Sequence, residues 1–188
     1  MSLVRIDSVS VLSIRRLAAS SKLFAILDAT DEPRVPERVR ALGRGRAVSL
    51  YRATADEQLW AIAPYLVHLD VATFDWITEA LWADPWGILV SATADLEQLR
   101  THFRRLLTVV GPDGDTVMFR FYDPRVLVSF LMTCSAEQLR EVYGPVEWLG
   151  WTDWDGYGVV TCRPLGPDEA PVEVRPSVRL RLSRPPAS

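Results

Sequence analysis

The chain has 188 residues, a formal net charge of −3 and a hydrophobic content of 48%. This length and this apolar content exclude a disordered segment and favour one globular domain with a sizeable core. The weakly acidic balance argues against a general nucleic-acid-binding protein, and no apolar run reaches the roughly 18 residues of a membrane-spanning helix.

Strand and helix signals alternate along most of the chain. The apolar runs that predict strands are residues 23–29, 47–52, 63–70, 86–93 and 116–122. The segments with helical spacing are residues 35–43, 55–62, 74–84, 96–110, 126–134 and 135–145. Residues 147–164 are predicted to form a hairpin that turns at Asp155-Gly156. Together these elements predict an α/β fold, with α+β as the alternative, built on a mixed sheet of about five strands flanked by helices.

The C-terminal part of the chain differs from the rest in composition. Residues 1–162 are predicted to form a single α/β domain, and residues 163–188 an extended tail rich in proline and arginine. Within the tail, residues 178–182 alternate between apolar side chains and arginine, which is typical of an edge strand on this sheet or on a partner's sheet. The tail arginines, Arg179 and Arg181 among them, either bind an acidic partner or keep an extended end solvated.

Several helix ends are marked by residues that pair the free backbone groups of a first or last turn. Asp95 with Gln98 predicts the start of the helix at 96–110, and Gly111-Pro112 is expected to end it. Ser135 predicts the start of the last helix in the same way. Thr73 is expected to cap the helix that follows it.

The segment FRFYDPRVL, residues 119–127, joins the last predicted strand to an apolar helix. Asp123 followed by Pro124 predicts a helix start, because aspartate accepts hydrogen bonds from first-turn N–H groups and proline has no N–H to leave unpaired. The helix is apolar nearly all round, so we expect it to be buried. Arg120 lies in the strand and must find an acceptor, because an unpaired buried charge is very costly. We expect an ion pair with Asp28, and Asp123 is the second candidate.

Three tryptophans cluster in the predicted C-terminal hairpin: Trp148, Trp151 and Trp154. Alternate residues of a strand face opposite sides of a sheet, so at most one parity can face the core. An exposed tryptophan would be an anchor of a protein–protein contact, and burial beneath the tail is the alternative.

Residues suited to catalysis or metal binding are sparse. Two cysteines and two histidines predict neither a disulfide framework nor a metal site, and no cofactor is expected. The first 20 residues lack the apolar core and the cleavage site of a signal peptide, so we expect a cytoplasmic protein. His102 borders the apolar stripe of its helix, and we expect it to be packed and hydrogen-bonded rather than a general base.

Seven sequence blocks occur in a recognisable order. They are LFAILDA (23–29), LY (50–51), APYLVHL (63–69), WG (86–87), LRTHFRRLL (99–107), FRFYDPRVL (119–127) and GPVEWL (144–149). In the order and spacing of these blocks, from Leu23 to about Trp151, the chain resembles the type VI secretion effector adaptors. This bacterial family is marked by a shared domain of unknown function. Commoner members continue into a further helical lobe, so the chain resembles a short member that ends in a Pro/Arg-rich tail.

The resemblance implies a cytosolic adaptor, or chaperone, that is not an enzyme. Such a protein binds a cognate toxic effector and helps to load it onto the spike protein VgrG, with neither nucleic acid nor membrane as a partner. The motif positions carry over as structural residues: Asp28, Pro64, Tyr65, Trp86, Gly87, His102, Arg120, Tyr122, Asp123, Pro124 and Arg125. The residues that we expect to contact a partner are Trp148, Trp151, Trp154, Arg179 and Arg181.

Two other classes of protein stay open from the residues themselves. A small hydrolase or transferase would use Arg120, Asp123 and His102 around an anion, and it predicts that the three side chains converge in one pocket. A self-associating structural subunit predicts a symmetric apolar interface. The sequence leaves the oligomeric state open.

Overall fold

The computed structural model describes residues 3–30, 32–51, 57–111, 113–153 and 155–166. In these ranges the strands are β1 (Val4–Ser10), β2 (Leu23–Asp28), β3 (Ala47–Ser49), β4 (Pro64–His68), β5 (Gly87–Ala92), β6 (Thr108–Val110), β7 (Thr116–Met118), β8 (Val146–Thr152) and β9 (Gly158–Pro164). The helices are α1 (Val11–Ala18), α2 (Arg34–Leu42), α3 (Glu57–Ala61), α4 (Val71–Ala80), α5 (Leu96–Leu106), α6 (Pro124–Thr133) and α7 (Ala136–Tyr143). None of these helices combines the length and the apolar composition that crossing a membrane requires.

Seven strands form one sheet in the order β1-β9-β8-β5-β2-β4-β3, and each neighbouring pair is antiparallel. Helices flank this sheet, which confirms the α/β class predicted from the alternating signals. A mixed sheet of about five strands was expected, but the sheet has seven strands and is antiparallel throughout. β1 and the C-terminal hairpin join it, and the predicted strand at 116–122 does not. No strand was predicted for residues 4–10, since polar side chains on this edge strand obscure its pattern.

The side chains of β2 alternate between two apolar cores, one on each face of the sheet. Phe24 and Ile26 point to the face that α5, α6 and α7 cover. Leu23 and Leu27 point to the opposite face, which α1, α2 and α4 cover. Each of these side chains is at most 3% exposed. The strand predicted at 23–29 is therefore buried on both faces, and the protein has three layers.

The predicted strand over residues 116–122 is wrong beyond Met118. Residues 116–118 form β7, which pairs with β6 in a separate two-stranded ribbon and not with the main sheet. After the β6–β7 ribbon the chain turns, and the Asp123 N–H donates to the Arg120 carbonyl at 2.9 Å. This turn carries Phe121 into the core and leads directly into α6.

The predicted helix starts are confirmed for α5, α6 and α7, and the one for α4 is wrong. Asp95 accepts from the Gln98 N–H at 2.8 Å, and the Gln98 side chain accepts from the Asp95 N–H at 3.0 Å. Ser135 forms the same reciprocal pair at α7. At α4 the capping residue is Asp70, whose carboxylate accepts from the Thr73 N–H at 2.8 Å. Thr73 itself lies in the first turn of that helix.

Two other helix predictions are wrong. α5 ends at Leu106, four residues short of Val110, where the helix was expected to end before Gly111-Pro112. Residues 108–110 are β-branched, which favours a strand, and they pair with β7. α6 was expected to be buried all round, but Ser129 is exposed and Met132 is 51% exposed. α6 lies in an outer layer, so one side of it faces solvent.

The predicted C-terminal hairpin is confirmed by the antiparallel pairing of β8 with β9. Its turn includes Gly156 at φ 75°, a conformation that glycine adopts without strain. β9 runs to Pro164, into the first two positions of the predicted tail. Trp154 and residues 167–188, which include the proposed edge strand 178–182 and both tail arginines singled out above, lie outside the described residues.

Candidate functional site

The ion pair predicted between Arg120 and Asp28 is confirmed. Arg120 Nη2 lies 2.5 Å from Asp28 Oδ2, which joins the segment before α6 to the end of β2. Asp28 Oδ1 accepts hydrogen bonds from the Thr30 N–H at 3.0 Å and from the Thr30 hydroxyl at 2.7 Å. The hydrogen bond to Asp28 raises the pKa of Arg120. The pair therefore fastens the α5–α7 layer to a central strand of the sheet.

Asp123 caps α6, as predicted, and holds Arg125 at the same time. Its Oδ1 accepts from the Arg125 N–H at 2.9 Å, and its two oxygens accept from the Arg125 guanidinium at 2.9 and 2.7 Å. Burial by itself raises the pKa of Asp123, but the hydrogen bonds and charge of Arg125 outweigh burial and lower this pKa. The Arg125 side chain stays 59% exposed, so its guanidinium is held in one position at the surface.

The motif tyrosines Tyr65 and Tyr122 are core residues on opposite faces of the sheet. Both are at most 1% exposed. The Tyr65 hydroxyl donates to the Trp60 carbonyl. Burial, assisted by the neighbouring Tyr51, raises the pKa of Tyr122. Both tyrosines therefore act in packing, in agreement with the structural role that the resemblance implied.

Trp82 and Trp86 attach the β8–β9 hairpin to the rest of the protein. The Trp82 indole N–H donates to the Gly156 carbonyl, and the Trp86 indole N–H donates to Thr152 Oγ1, both at 3.0 Å. The two indole rings stack with their centroids 6.2 Å apart. The Trp86 carbonyl accepts from the Asp28 N–H at 2.8 Å. The stacked indoles thus link the hairpin to the strand end that carries the ion pair.

A cleft of about 280 Å³ opens where these parts meet. Its walls come from residues 82–87, from Pro124 and Arg125 at the start of α6, and from the hairpin residues Thr152, Asp153 and Gly156. Motif blocks that lie far apart in the sequence therefore share one concave surface.

Sequence reasoning missed Trp82, Asp84 and Asp153 as members of this surface. The hydrogen bond from the Trp82 indole to the Gly156 carbonyl joins two walls of the cleft, and these two residues lie 74 positions apart in the sequence. Only the order of β5 and β8 in the sheet brings the two segments together. The visible signals were the four-residue spacing of Trp82 and Trp86 and the predicted hairpin turn.

His102 lies on α5 and packs against the end of α7. Its Nε2 lies 2.9 Å from the Val142 carbonyl oxygen. A Cβ atom at Gly144 would approach the imidazole to 2.4 Å, so glycine allows the helix end to touch the ring. Burial lowers the pKa of His102. The histidine is packed and hydrogen-bonded, as predicted.

The three residues proposed for the enzyme alternative have different partners, and none of them lines the cleft. Arg120 pairs with Asp28, Asp123 accepts from Arg125, and His102 contacts α7. The structure therefore assigns these three residues separate partners and does not group them around one anion.

The tryptophans predicted as partner contacts lie in different places. Trp151 is 3% exposed and belongs to the core beneath α5–α7, so the prediction of an exposed anchor is wrong for this residue. Trp148 packs on the opposite face, where it is partly buried. They face opposite sides because they are three positions apart, an odd separation along a strand. A partner contact of Trp148 stays a prediction.

The fold and this site define a three-layer α/β protein with two ion pairs beside a cleft. The pairs join Arg120 to Asp28 and Arg125 to Asp123, and Trp82 and Trp86 line the cleft. Residues 23–141, more than half of the chain, match the model of a family described as a domain of unknown function, DUF4123. The chain belongs to this family. Comparison with curated proteins and with solved structures gave no match. The matched region includes both ion pairs of the motif, and the hairpin wall of the cleft lies C-terminal to it.

Replacing Arg120 by alanine is expected to lower the free energy of unfolding by about 1–2 kcal/mol, less than the loss of about 3–5 kcal/mol for a fully buried pair. The Arg120 side chain is 40% exposed, and Asp28 keeps its hydrogen bonds from Thr30. Urea unfolding followed by tryptophan fluorescence measures the change. The control is Arg15→Ala, which removes a more exposed, solvent-screened pair with Asp75 and should cost clearly less stability than Arg120→Ala. Wild-type stability of the Arg120 variant would contradict the structural role.

Proposed function

We propose that the protein is a cytoplasmic adaptor that binds a type VI secretion effector and helps to load it onto the VgrG spike by protein–protein contacts. Membership of the DUF4123 family supports the proposal, as does the resemblance of the motif blocks to effector adaptors. The observation that carries it is the exposed apolar surface of the β6–β7 ribbon.

The β6–β7 ribbon exposes apolar side chains on both of its faces. Val109 and Val117 lie opposite each other and are 41% and 46% exposed. On the other face, Val110 is 75% exposed and Met118 is 53% exposed. In the part of the chain that the structure describes, β6 and β7 pair only with each other. Exposed apolar side chains beside unpaired strand edges favour binding of another protein, by apolar burial or by addition of a strand.

The motif residues hold this ribbon on a rigid body. The ribbon ends at Met118, and two positions later Arg120 is paired with Asp28 on β2. The Phe119 N–H donates to the Leu107 carbonyl at 2.9 Å, which closes the base of the ribbon. A surface that is held in place before binding loses less conformational entropy when a partner binds. We propose that the motif contributes to adaptor function in this indirect way.

Co-expression with a VgrG spike protein and a candidate effector from the same genome tests the proposal. We expect a defined complex on size-exclusion chromatography, with its components identified by mass spectrometry. Val110→Asp should remove the partner, because it places a charge on the apolar ribbon. Leu12→Asp is the control, since Leu12 is a 57% exposed apolar residue on α1. A lone monomer that binds neither protein, or equal loss with both variants, would contradict the proposal.

A further inference from the structure

The cleft beside Trp82 offers an aromatic surface to a ligand. Its indole N–H already donates to the Gly156 carbonyl at 3.0 Å, and the ring is stacked on Trp86 and met edge-on by Phe74, so the remaining, partly exposed part of the ring is what is left for binding. Tyr157 follows Gly156 in the same turn and is 90% exposed. Aromatic faces of this kind bind proline rings and arginine guanidinium groups by stacking.

The same cleft carries negative charge that is not matched locally. Asp84 and Asp153 line it, and neither has an ion-pair partner within the described ranges. Arg125 also lines it but is already paired with Asp123. Arg34 is paired with Glu32, which is the main cause of the raised pKa of Arg34, and the charge of Asp84 adds to it. Aromatic rings beside unmatched carboxylates favour a ligand that contains arginine and proline.

A segment with this composition is present in the same chain. Residues 174–188 contain four arginines, three prolines and no aspartate or glutamate. The described chain ends at Gly166, just after the Leu165 N–H donates to the Leu3 carbonyl, at the end of β9 that lies away from the cleft. A strand as long as β9 spans about 20 Å, and the eight residues 167–174 reach up to about 26–29 Å. The arginines from Arg175 onward can therefore reach the cleft.

We infer that the C-terminal segment 174–188 occupies the cleft of its own chain, with arginine side chains on Asp84 and Asp153 and a proline ring or a guanidinium on Trp82. Because the segment belongs to the same chain, its local concentration at the cleft is of order millimolar, so a weak contact is enough to fill the site. Another ligand of this cleft has to displace the segment first.

A spin label in the segment tests this contact in the full-length chain. Ser183→Cys carries the nitroxide in a Cys134→Ser background, while Cys162 is buried. We expect the ¹⁵N-indole signal of Trp82 to lose more than half of its intensity. The amide signal of Leu96, beyond the far end of β5, should keep its intensity. Reduction of the nitroxide should restore the Trp82 signal, and so should about 1 M NaCl, where the Debye length falls to about 3 Å.

A matched pair of charge variants tests whether the cleft itself holds the segment. Asp84→Asn with Asp153→Asn should restore at least half of the lost Trp82 intensity. Asp115→Asn with Glu141→Gln removes the same charge from exposed positions outside the cleft, and it should leave the broadening unchanged.

Three results would overturn the inference. The first is a Trp82 signal that the label does not broaden, or broadens equally in the cleft variant. The second is broadening of amides near Ile6 instead, which would place the segment at the free edge of β1. The third is broadening that occurs only between isotope-labelled and spin-labelled chains in a mixture, which would identify a second copy as the occupant.

Discussion

Replacing Gly87 by alanine is expected to remove a large part of the stability of the fold. Gly87 opens β5 at φ 144°, where a Cβ atom would lie 2.0 Å from the backbone oxygen of Ile26 on β2. The backbone strain costs about 1–3 kcal/mol, and forced overpacking in a central strand adds about 1–3 kcal/mol or more. The total of about 4 kcal/mol is a large part of the roughly 5–15 kcal/mol that stabilises a typical domain.

Thermal unfolding by circular dichroism measures this loss, and expression in soluble form gives a first indication. The matched control is Gly45→Ala, because a Cβ atom added at Gly45 would meet no other atom within 4 Å, and Gly45 has no positive φ. We expect Gly45→Ala to keep the wild-type transition. A Gly87 variant that unfolds together with the control would show that β2 and β5 separate more easily than their register implies.

Replacing Phe121 by alanine is expected to lower the free energy of unfolding by about 3–5 kcal/mol. Phe121 is 0% exposed and stacks on Phe103 of α5, with ring centroids 5.5 Å apart. It also contacts Tyr122 edge to face at 5.6 Å. The substitution leaves a cavity between the sheet and the helical layer, and the surrounding residues cannot collapse fully into it.

Phe119→Ala is the matched control for this prediction. Phe119 is two positions earlier and only partly buried, although residues two positions apart in a strand face the same side. We expect the control to lose less than half of the stability that the Phe121 variant loses, measured by urea unfolding of both proteins. Equal losses would mean that the two rings contribute equally to the core.

Features that depend on neighbouring residues were predictable from the sequence. The Asp95–Gln98 capping pair, the Asp123-Pro124 helix start and the turn at Gly156 each satisfy a hydrogen-bond or dihedral requirement within a few positions. The pairing of Arg120 with Asp28 crosses 92 positions, yet it was predictable because a charge in an apolar segment needs a partner.

Features that depend on which segments lie side by side were not predictable in the same way. The apolar pattern of residues 116–122 is typical of one strand, but part of it forms a ribbon and part a turn that buries Phe121. Residues 108–110 extend the helical pattern of α5, yet they pair with β7. In both places a tertiary contact outweighs a weak local preference.

By itself, the sequence determined the α/β class, the capped starts of α5, α6 and α7 and the requirement that Arg120 be paired, because each follows from local spacing or from the cost of an unpaired charge. Only the tertiary structure decided that β8 lies beside β5, which brings Asp153 and Thr152 to Asp84 and Trp86. The order of strands in a sheet depends on how all the apolar faces are buried together, so no single segment of the sequence predicts that order. The cleft exists only because of that order.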